Sequence, residues 1–406
     1  MNKKLMKILK IIAISCIVIL VLLGIYILYV TNFRKAEKVF FDSINSFVVT
    51  DKGYIAVGSN NNNNENFEKP KITRYNKNRE KKWVTFFNKG FNGAFFDIAK
   101  DGDYYVAVGS FEANEEEHTD SIRTALLAKY DTDGKLVFSR DFQILGNSKF
   151  TKIEVVEDGY IVVGQSIFEN MTLGFSEEGG GIIIKYDKEG NIVWQSNYGG
   201  SKSGLFNDFV IVDDIIYVVG KDAARVGIVV TYDMDGNRLL QRDYEVTDTI
   251  GFTGIVEKDG YLYVVGGTKL SEEDDDFDTD ALIVKYDKDL NVVTKNTHSV
   301  NNIDRFNQII VDGNGHLVVI GQTATLDKER TTKIRNEFNY SGILAKYRDD
   351  LVEIFSLVSE STYDDYFTHV IELKDNYLIS GYSRQGSSFY SRFVTYSKSG
   401  KLLDVK

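Results

Sequence analysis

The chain has 406 residues, of which 43% are hydrophobic, a proportion that is typical of folded proteins and excludes a disordered chain. Its 48 basic and 59 acidic residues give a net charge of −11. Residues 1–38 hold seven of the basic residues and one acidic residue, so the remainder carries −17, which argues against nucleic acid as a partner. Cys16 is the only cysteine, which excludes a disulfide within the chain.

The N-terminal segment predicts a membrane anchor. Residues 11–30 are all apolar or small and uncharged. At about 1.5 Å rise per residue, a helix of this length matches the roughly 30 Å hydrocarbon core of a bilayer. Basic residues are more frequent before this segment than after it, which favours a cytoplasmic N-terminus. We therefore expect residues 1–37 to form a cytoplasmic tip, a transmembrane helix and a short linker, with residues 38–406 outside the cytoplasm at the cell membrane.

Two other interpretations of the same segment remain open. A cleaved signal peptide normally has an apolar core of about 7–15 residues followed by small residues, whereas this run is longer and ends in Ile-Leu-Tyr-Val. The sequence from Ala13 to Cys16 resembles the lipidation motif of bacterial lipoproteins, but fourteen apolar or small residues follow Cys16. The sequence therefore favours an uncleaved anchor.

A repeat runs through the rest of the chain. An apolar run ending in glycine recurs seven times, at spacings of 46 to 60 residues, and these glycines are Gly58, Gly109, Gly164, Gly220, Gly266, Gly321 and Gly381. Fourteen or fifteen residues before each glycine there is a large apolar residue: Ile44, Phe95, Phe150, Phe206, Phe252, Phe306 and Phe367. A period of this length indicates stacked or radially arranged units.

Each repeat also contains a second apolar run that ends in a tyrosine: Tyr75, Tyr130, Tyr186, Tyr232, Tyr286, Tyr347 and Tyr396. Turns such as Asp-Thr-Asp-Gly134 follow five of these tyrosines and suit hairpins. Eight residues after each tyrosine stand Trp83, Phe138, Trp194, Leu240, Thr294, Phe355 and Asp404. This position is less apolar in the later copies, so we expect the last unit to be the loosest.

These landmarks predict an all-β fold in which each unit is a sheet of four short strands. A single sheet of this kind would expose apolar faces, whereas seven sheets around an axis cover one another. We therefore predict a seven-bladed β-propeller over residues 38–406. The last unit ends in a short fourth strand, so we expect residues 38–41 to join its outer edge and close the ring.

The repeat resembles those of bacterial surface β-propellers, particularly the quinoprotein-like and kelch-like group. The shared residues are Val-Val-Gly164, then Lys185-Tyr186-Asp187 with Gly190, Asn191 and Trp194, and the pattern covers nearly all of residues 38–406. The kelch double glycine occurs only at Gly266-Gly267, and quinoprotein propellers typically have eight blades. The resemblance implies the fold, and propellers of this kind include enzymes and binding scaffolds alike.

Ligand-binding residues are expected in the long loops between second and third strands, which share one face of a propeller. These loops are Ser59 to Lys71, Ser110 to Arg123, Gln165 to Gly180, Gly267 to Thr279 and Gln322 to Ser341. Loop aromatic residues are candidates for a rim that stacks on a sugar or peptide. We single out Phe338, Tyr340, Phe389 and Tyr390, with Phe168 and Phe175 as further members of the set.

An acidic loop offers the one candidate metal site. It contains Asp274, Asp275, Asp276 and Asp278, whose carboxylates could bind calcium, although a run of charges is also typical of a solvated loop tip. No other cofactor is expected. The four histidines, His118, His298, His316 and His369, show no paired spacing typical of metal ligands, and no nucleophile or phosphate-binding motif is present.

These observations predict a membrane-anchored binding or interaction scaffold with a protein, peptide or glycan ligand on the loop-rich face. An extracytoplasmic hydrolase or lyase with its site at the channel mouth is an alternative, and so is an envelope assembly factor. An enzyme should show a compact polar pocket on the axis with inward carboxylates or histidines from several blades, whereas a scaffold should show a broad, shallow loop face. His316 or His369 beside two carboxylates at the axis would favour the enzyme.

Overall fold

The computed structural model describes Leu23 and residues 39–61, 67–113, 122–142, 146–168, 178–198, 204–222, 226–244, 249–269, 279–327 and 338–406. The chain divides into two compact units, Met1–Val39 and Phe40–Lys406. Among the described residues, no helix is long and apolar enough to cross a membrane. Apart from Leu23, the predicted anchor of residues 11–30 lies outside the described part of the chain.

The described residues of the second unit form seven antiparallel sheets, each with four strands in chain order. Blade 1 contains β1 Ser46–Thr50, β2 Gly53–Asn60, β3 Lys69–Tyr75 and β4 Lys81–Phe86. Blade 2 contains β5 Phe91–Asp101, β6 Tyr104–Glu112, β7 Arg123–Asp131 and β8 Leu136–Phe142. Blade 3 contains β9 Asn147–Val156, β10 Gly159–Phe168, β11 Glu178–Asp187 and β12 Ile192–Tyr198.

The remaining blades repeat this order. Blade 4 contains β13 Leu205–Val212, β14 Ile215–Lys221, β15 Gly227–Asp233 and β16 Arg238–Asp243. Blade 5 contains β17 Thr249–Lys258, β18 Tyr261–Thr268, β19 Asp280–Tyr286 and β20 Val292–His298. Blade 6 contains β21 Ile303–Val311, β22 Leu317–Leu326, β23 Phe338–Tyr347 and β24 Glu353–Val358. Blade 7 contains β25 Asp364–Glu372, β26 Asn376–Gln385, β27 Ser388–Ser397 and β28 Leu402–Val405.

The core of the propeller lies between blades. Seven apolar clusters of described residues each join two neighbouring blades, and one of them packs Ile44 and Phe47 of blade 1 against Leu378 and Phe393 of blade 7. The sheets therefore close into a ring. The fold prediction of seven four-stranded blades is confirmed.

The repeated glycine is explained by a close backbone approach. A Cβ at any of the seven glycines would lie 1.9–2.3 Å from the carbonyl oxygen of the residue that precedes the repeated phenylalanine or Ile44. In six sheets a β-bulge follows that phenylalanine, so its strand bends toward the glycine. Only glycine fits at this position.

The repeated phenylalanine and tyrosine pack on each other within a blade. The pairs Phe95–Tyr130, Phe150–Tyr186, Phe206–Tyr232, Phe252–Tyr286 and Phe306–Tyr347 have ring centroids 6.1–6.4 Å apart at 74–89°. This edge-to-face geometry is favourable for aromatic rings. It accounts for the fixed spacing between the two landmarks.

The ring closes at the N-terminal segment. Phe41 pairs in parallel with Phe389 of β27, the third strand of blade 7. Asp42 N donates to Phe389 O at 3.0 Å, and Phe389 N donates to Phe40 O at 2.7 Å. The predicted closure is confirmed for Phe40 and Phe41, which extend the outer edge of blade 7 beyond the four-residue strand β28.

Candidate functional site

A belt of hydrogen bonds lies just inside the loop-rich end of the channel. In six blades the residue after Ile44 or the repeated phenylalanine has a side-chain donor. It donates a hydrogen bond to the backbone carbonyl oxygen of the repeated phenylalanine, or of Ile44, in the next blade. The donors Asn45, Thr151, Asn207, Thr253, Asn307 and Thr368 make these bonds at 2.6–3.1 Å, and the last of them joins blade 7 to blade 1. The belt fixes the spacing of the inner strands around the channel mouth.

Blade 2 departs from this belt. Its residue at the belt position is Phe96, which has no side-chain donor. Phe96 instead lines a cavity of about 340 Å³ between blades 1 and 2, and Lys149 Nζ lies 5.7 Å from the centre of its ring. Blade 2 therefore has an aromatic side chain that lines the cavity at the position where the other blades have a donor for the belt.

The walls of this cavity combine polar and aromatic groups. They include Ser43, Ser59 and Asn92, together with Phe41 and Tyr382. A second cavity of about 340 Å³ is lined by charged residues that include Asp51 and Lys52 of a turn and Arg74 of β3. Only the first cavity adjoins the aromatic residues described next.

The predicted aromatic residues belong to a ladder of rings at the mouth. Ring centroids are 6.5 Å apart for Phe338–Tyr340, 5.2 Å for Tyr340–Tyr366, 4.8 Å for Tyr366–Tyr382 and 5.8 Å for Tyr382–Phe389. Phe41 completes the ladder 4.9 Å from Phe389. The four ladder residues Tyr340, Tyr366, Tyr382 and Phe389 are only partly buried, which leaves their edges accessible.

The structure corrects the placement of the predicted aromatic residues. Phe338 and Tyr340 begin strand β23, and Phe389 and Tyr390 lie near the start of strand β27, so none of the four is a loop residue. Tyr390 packs against Phe40, with ring centroids 5.1 Å apart, beside the ladder. Strands β22, β23 and β27 are longer than the repeat pattern indicates, because their apolar character weakens before their backbone pairing ends. The backbone alone is described for Phe168, and Phe175 lies outside the described residues.

Burial shifts the protonation equilibria at the mouth. It raises the pKa of Glu68, which lines the cavity and accepts a hydrogen bond from Ser59 at 2.9 Å. It also raises the pKa of Tyr366 and Tyr382, so these two side chains stay neutral. Burial lowers the pKa of Lys149, and the positive charges of Arg123 and Lys221 lower it further.

Next to the belt, charged side chains of the inner strands contact one another. Lys152 Nζ lies 3.5 Å from Asp97 and 3.8 Å from Asp208. These carboxylates also accept the backbone N–H of Ile153 and Ile255, each at 3.1 Å. Burial, reinforced by Asp208 and Asp97 and opposed by Lys152, raises the pKa of Glu154 to about 7. The axial groups serve chiefly to hold neighbouring blades together.

The histidines do not form a catalytic arrangement with paired carboxylates in the described residues. His369 is at the axis, where its Nδ1 lies 3.2 Å from Gln308 Nε2 and its ring packs against Phe47, and burial lowers its pKa to about 4. His298 contacts Tyr347 and Ser356, and His316 lies beside Asp312 in the turn after β21. His118 lies outside the described residues.

The predicted calcium site falls on Asp274, Asp275, Asp276 and Asp278, which lie outside the described residues. Among the residues that are described, no cluster of three or more His, Cys, Asp or Glu side chains could hold a metal ion. Calcium binding by the acidic loop stays a prediction.

The fold defines the class of protein: a seven-bladed β-propeller with four-stranded blades. Solved structures that resemble this fold share little sequence identity with the chain. The Dos1 propeller is 12% identical, with 90% of this chain and 94% of that chain covered and a TM-score of 0.45. A glucose dehydrogenase is 10% identical, with 69% and 93% covered and a TM-score of 0.38.

An enzyme from a study of two prolyl endopeptidases is 10% identical to this chain, with a TM-score of 0.49. The comparison covers 90% of this chain and 50% of the peptidase, so the chain spans half the length of that enzyme. Neither a model of a known protein family nor a curated protein sequence matches the chain. These likenesses concern the fold alone, and function has to be argued from the site.

Proposed function

We propose that this chain is a membrane-anchored, extracytoplasmic propeller that binds a protein, peptide or glycan ligand at its loop-rich mouth. The observation that carries the proposal is the aromatic ladder from Phe338 to Phe41, which leads to the polar cavity between blades 1 and 2. Partly exposed aromatic residues beside a concave polar pocket are typical of binding sites. In a core, the same rings would be fully buried.

The anchor in this proposal rests on the sequence. Residues 11–30 are apolar and long enough to span a bilayer, and the basic residues that precede them favour a cytoplasmic N-terminus. The propeller would then face the outside of the cell, as a bacterial surface propeller of the quinoprotein-like and kelch-like group would. An envelope assembly factor is one form of the same binding role.

Binding is favoured over hydrolase or lyase chemistry by the state of the axial groups. Asp97, Lys152 and Asp208 are engaged with one another and with backbone N–H groups. His369 has a pKa of about 4, so it is neutral at physiological pH, and it contacts Gln308 and Phe47. This arrangement holds the inner strands in place and leaves the ladder as the group of residues open to a ligand.

The test compares ligand capture by two tyrosine variants of the full-length protein. The protein should sediment with membranes, and after detergent extraction it should retain a ligand from its own cell envelope. Tyr366→Ala, at the centre of the ladder, should reduce the captured amount at least about tenfold, because an aromatic hot spot in a binding site contributes about 2 kcal/mol or more. Tyr261→Ala is the matched control, since Tyr261 is an exposed tyrosine at the start of β18 whose ring contacts Lys285 of β19. Equal capture by both variants would contradict the proposal.

A further inference from the structure

Arg305 is a cation placed at the mouth by the repeat itself. It precedes Phe306 in strand β21, and its backbone pairs with Gln322. Asp304 and Phe306 are fully buried, whereas Arg305 is partly buried, as expected for the opposite face of the strand. Arg305 occupies in blade 6 the position that Tyr366 of the ladder occupies in blade 7, immediately before the repeated phenylalanine, which places Arg305 beside the ladder.

The charge of Arg305 is not neutralised by the residues that the structure describes. Its Nε is buried and has no hydrogen-bond partner among them, and none of their carboxylates lies within 4 Å of its guanidinium. The adjacent carboxylate does not serve this purpose, because Asp304 lies on the opposite, fully buried face of the strand, where its Oδ2 accepts the backbone N–H of Val300 and of Asn301. Burial lowers the pKa of Arg305, but a guanidinium keeps its proton in proteins.

Other arginines near the mouth have acidic partners. Arg392 pairs with Asp365, Arg384 lies 3.1 Å from Asp364, and Arg123 lies 3.6 Å from Glu112. A buried charge without a counterion is unfavourable unless something else supplies the opposite charge. The difference sets Arg305 apart from the three paired arginines and suggests that its counterion comes from a ligand.

A second cation extends the positive region across the mouth. Lys149 occupies in blade 3 the position that Arg305 occupies in blade 6, immediately before the repeated phenylalanine. Its amino group lies over Phe96, which lines the cavity, and it is near Arg123 and Lys221. Although the propeller is acidic as a whole, Arg305 and Lys149 add positive charge at the mouth.

We propose that the ligand of this site is an acidic oligosaccharide, with a carboxylate, sulfate or phosphate group bound by Arg305. The inference rests on the proposed function and specifies the ligand class. A guanidinium binds such anions through two parallel hydrogen bonds. The edges of Tyr366 and Tyr382 would contact the apolar face of a sugar ring, and the Ser and Asn side chains of the cavity would bind its hydroxyl groups.

The experiment measures binding of the full-length, detergent-solubilised protein to an array of uronate-, sulfate- and phosphate-bearing glycans and their neutral counterparts. We expect binding to acidic members only. Arg305→Gln should weaken it about 10- to 100-fold, the loss expected for a charge-assisted hydrogen bond. Arg305→Lys should restore part of the affinity, because it keeps the charge but loses the paired geometry.

Arg348→Gln is the matched control, because it removes the same charge from an exposed arginine that pairs with Asp350 in the turn after β23. Its binding should equal that of the unmodified protein, and no variant should unfold at a lower temperature than the unmodified protein. Binding to neutral glycans, or equal binding by Arg305→Gln, would overturn the inference while leaving the proposed function intact. If no glycan of the array binds and the protein captures a protein or peptide in a Tyr366-dependent manner, the inference is also overturned. A blank array without Tyr366-dependent capture would overturn both.

Discussion

Glu154 illustrates how single residues at the axis set the pH response of the propeller. It lies on the inner strand β9, and burial and two nearby aspartates raise its pKa to about 7. The folded state therefore binds this proton more tightly than the unfolded state does. The corresponding stabilisation is complete below the ordinary pKa of about 4.5 and is lost as the pH rises through 7.

Glu154→Gln should remove this pH dependence. We expect the variant to be more stable than the unmodified protein at pH 8, by about 1–3 kcal/mol, and nearly equal to it at pH 5, where Glu154 is protonated. The measurement is the unfolding temperature of both proteins at the two pH values. Glu157→Gln, at an exposed position in the turn after β9, is the control and should change neither value. A gain in stability of equal size at both pH values would contradict the raised pKa of Glu154.

At the scale of the element, the fourth strand of one blade is matched to the turn of the next. A Cβ at Gly134, Gly190 or Gly236 would lie 2.6 Å from the ring of Trp83, Phe138 or Trp194 in the preceding blade. Blade 4 has the smaller Leu240 in place of this ring, and the turn of blade 5 has Leu290 in place of the glycine. Both leucines belong to one apolar cluster. At the closure, Asp404 of blade 7 pairs with Arg79 in the turn of blade 1.

This matching explains why the aromatic position weakens in some repeats. Leu240 and Asp404 look like degenerate copies in the sequence, but each has a complementary residue in the next blade. The expectation of a loose last blade therefore overlooked the ion pair between Asp404 and Arg79, which the repeat pattern does not reveal. The ion pair is partly exposed, so it adds a modest stabilisation.

Gly236→Ala tests the matching directly. Gly236 and Gly260 have φ values of 83° and 82°, but only Gly236 faces a ring, since a Cβ at Gly260 would meet nothing within 4 Å. Both alanine variants share the strain of a positive φ, and Gly236→Ala should lose about 1–3 kcal/mol more because it overpacks against Trp194. Thermal unfolding of the two variants gives the comparison. Equal losses would show that the turn does not depend on the neighbouring ring.

The repeat landmarks were predictable because each one satisfies a local steric need. Gly164, Phe150 and Tyr186 recur at a fixed spacing because a backbone approach and an edge-to-face ring pair require it. The candidate site was harder to predict from the sequence, because its residues are those that depart from the repeat pattern. Phe96 interrupts a run of Asn and Thr, a signal that a full alignment of the seven copies reveals, whereas the position of Arg305 beside Tyr382 depends on how blades 6 and 7 pack.

At the scale of the whole molecule, closure of the ring also assembles the site. Phe41 comes from the N-terminal segment, and Phe389 comes from the last blade, yet their rings are 4.9 Å apart at the mouth. Asp42 strengthens the junction by pairing with the buried Lys71 of blade 1 and accepting a hydrogen bond from Ser391 of blade 7 at 2.7 Å. Opening the ring would therefore separate the ladder from the cavity, so closure and ligand binding should be lost together.

Disulfide formation between Phe41→Cys and Phe389→Cys is the most direct test of the closed ring. The two residues form a parallel β-bridge, and neighbouring strands bring paired Cα atoms within about the 4.4–6.8 Å that a disulfide spans. In a full-length protein with Cys16→Ser, mild oxidation should give an intramolecular disulfide that mass spectrometry detects, and Phe41→Cys with Tyr261→Cys should give none. Failure of the first pair to form the bond within one chain, or its formation only between chains, would contradict the closed propeller.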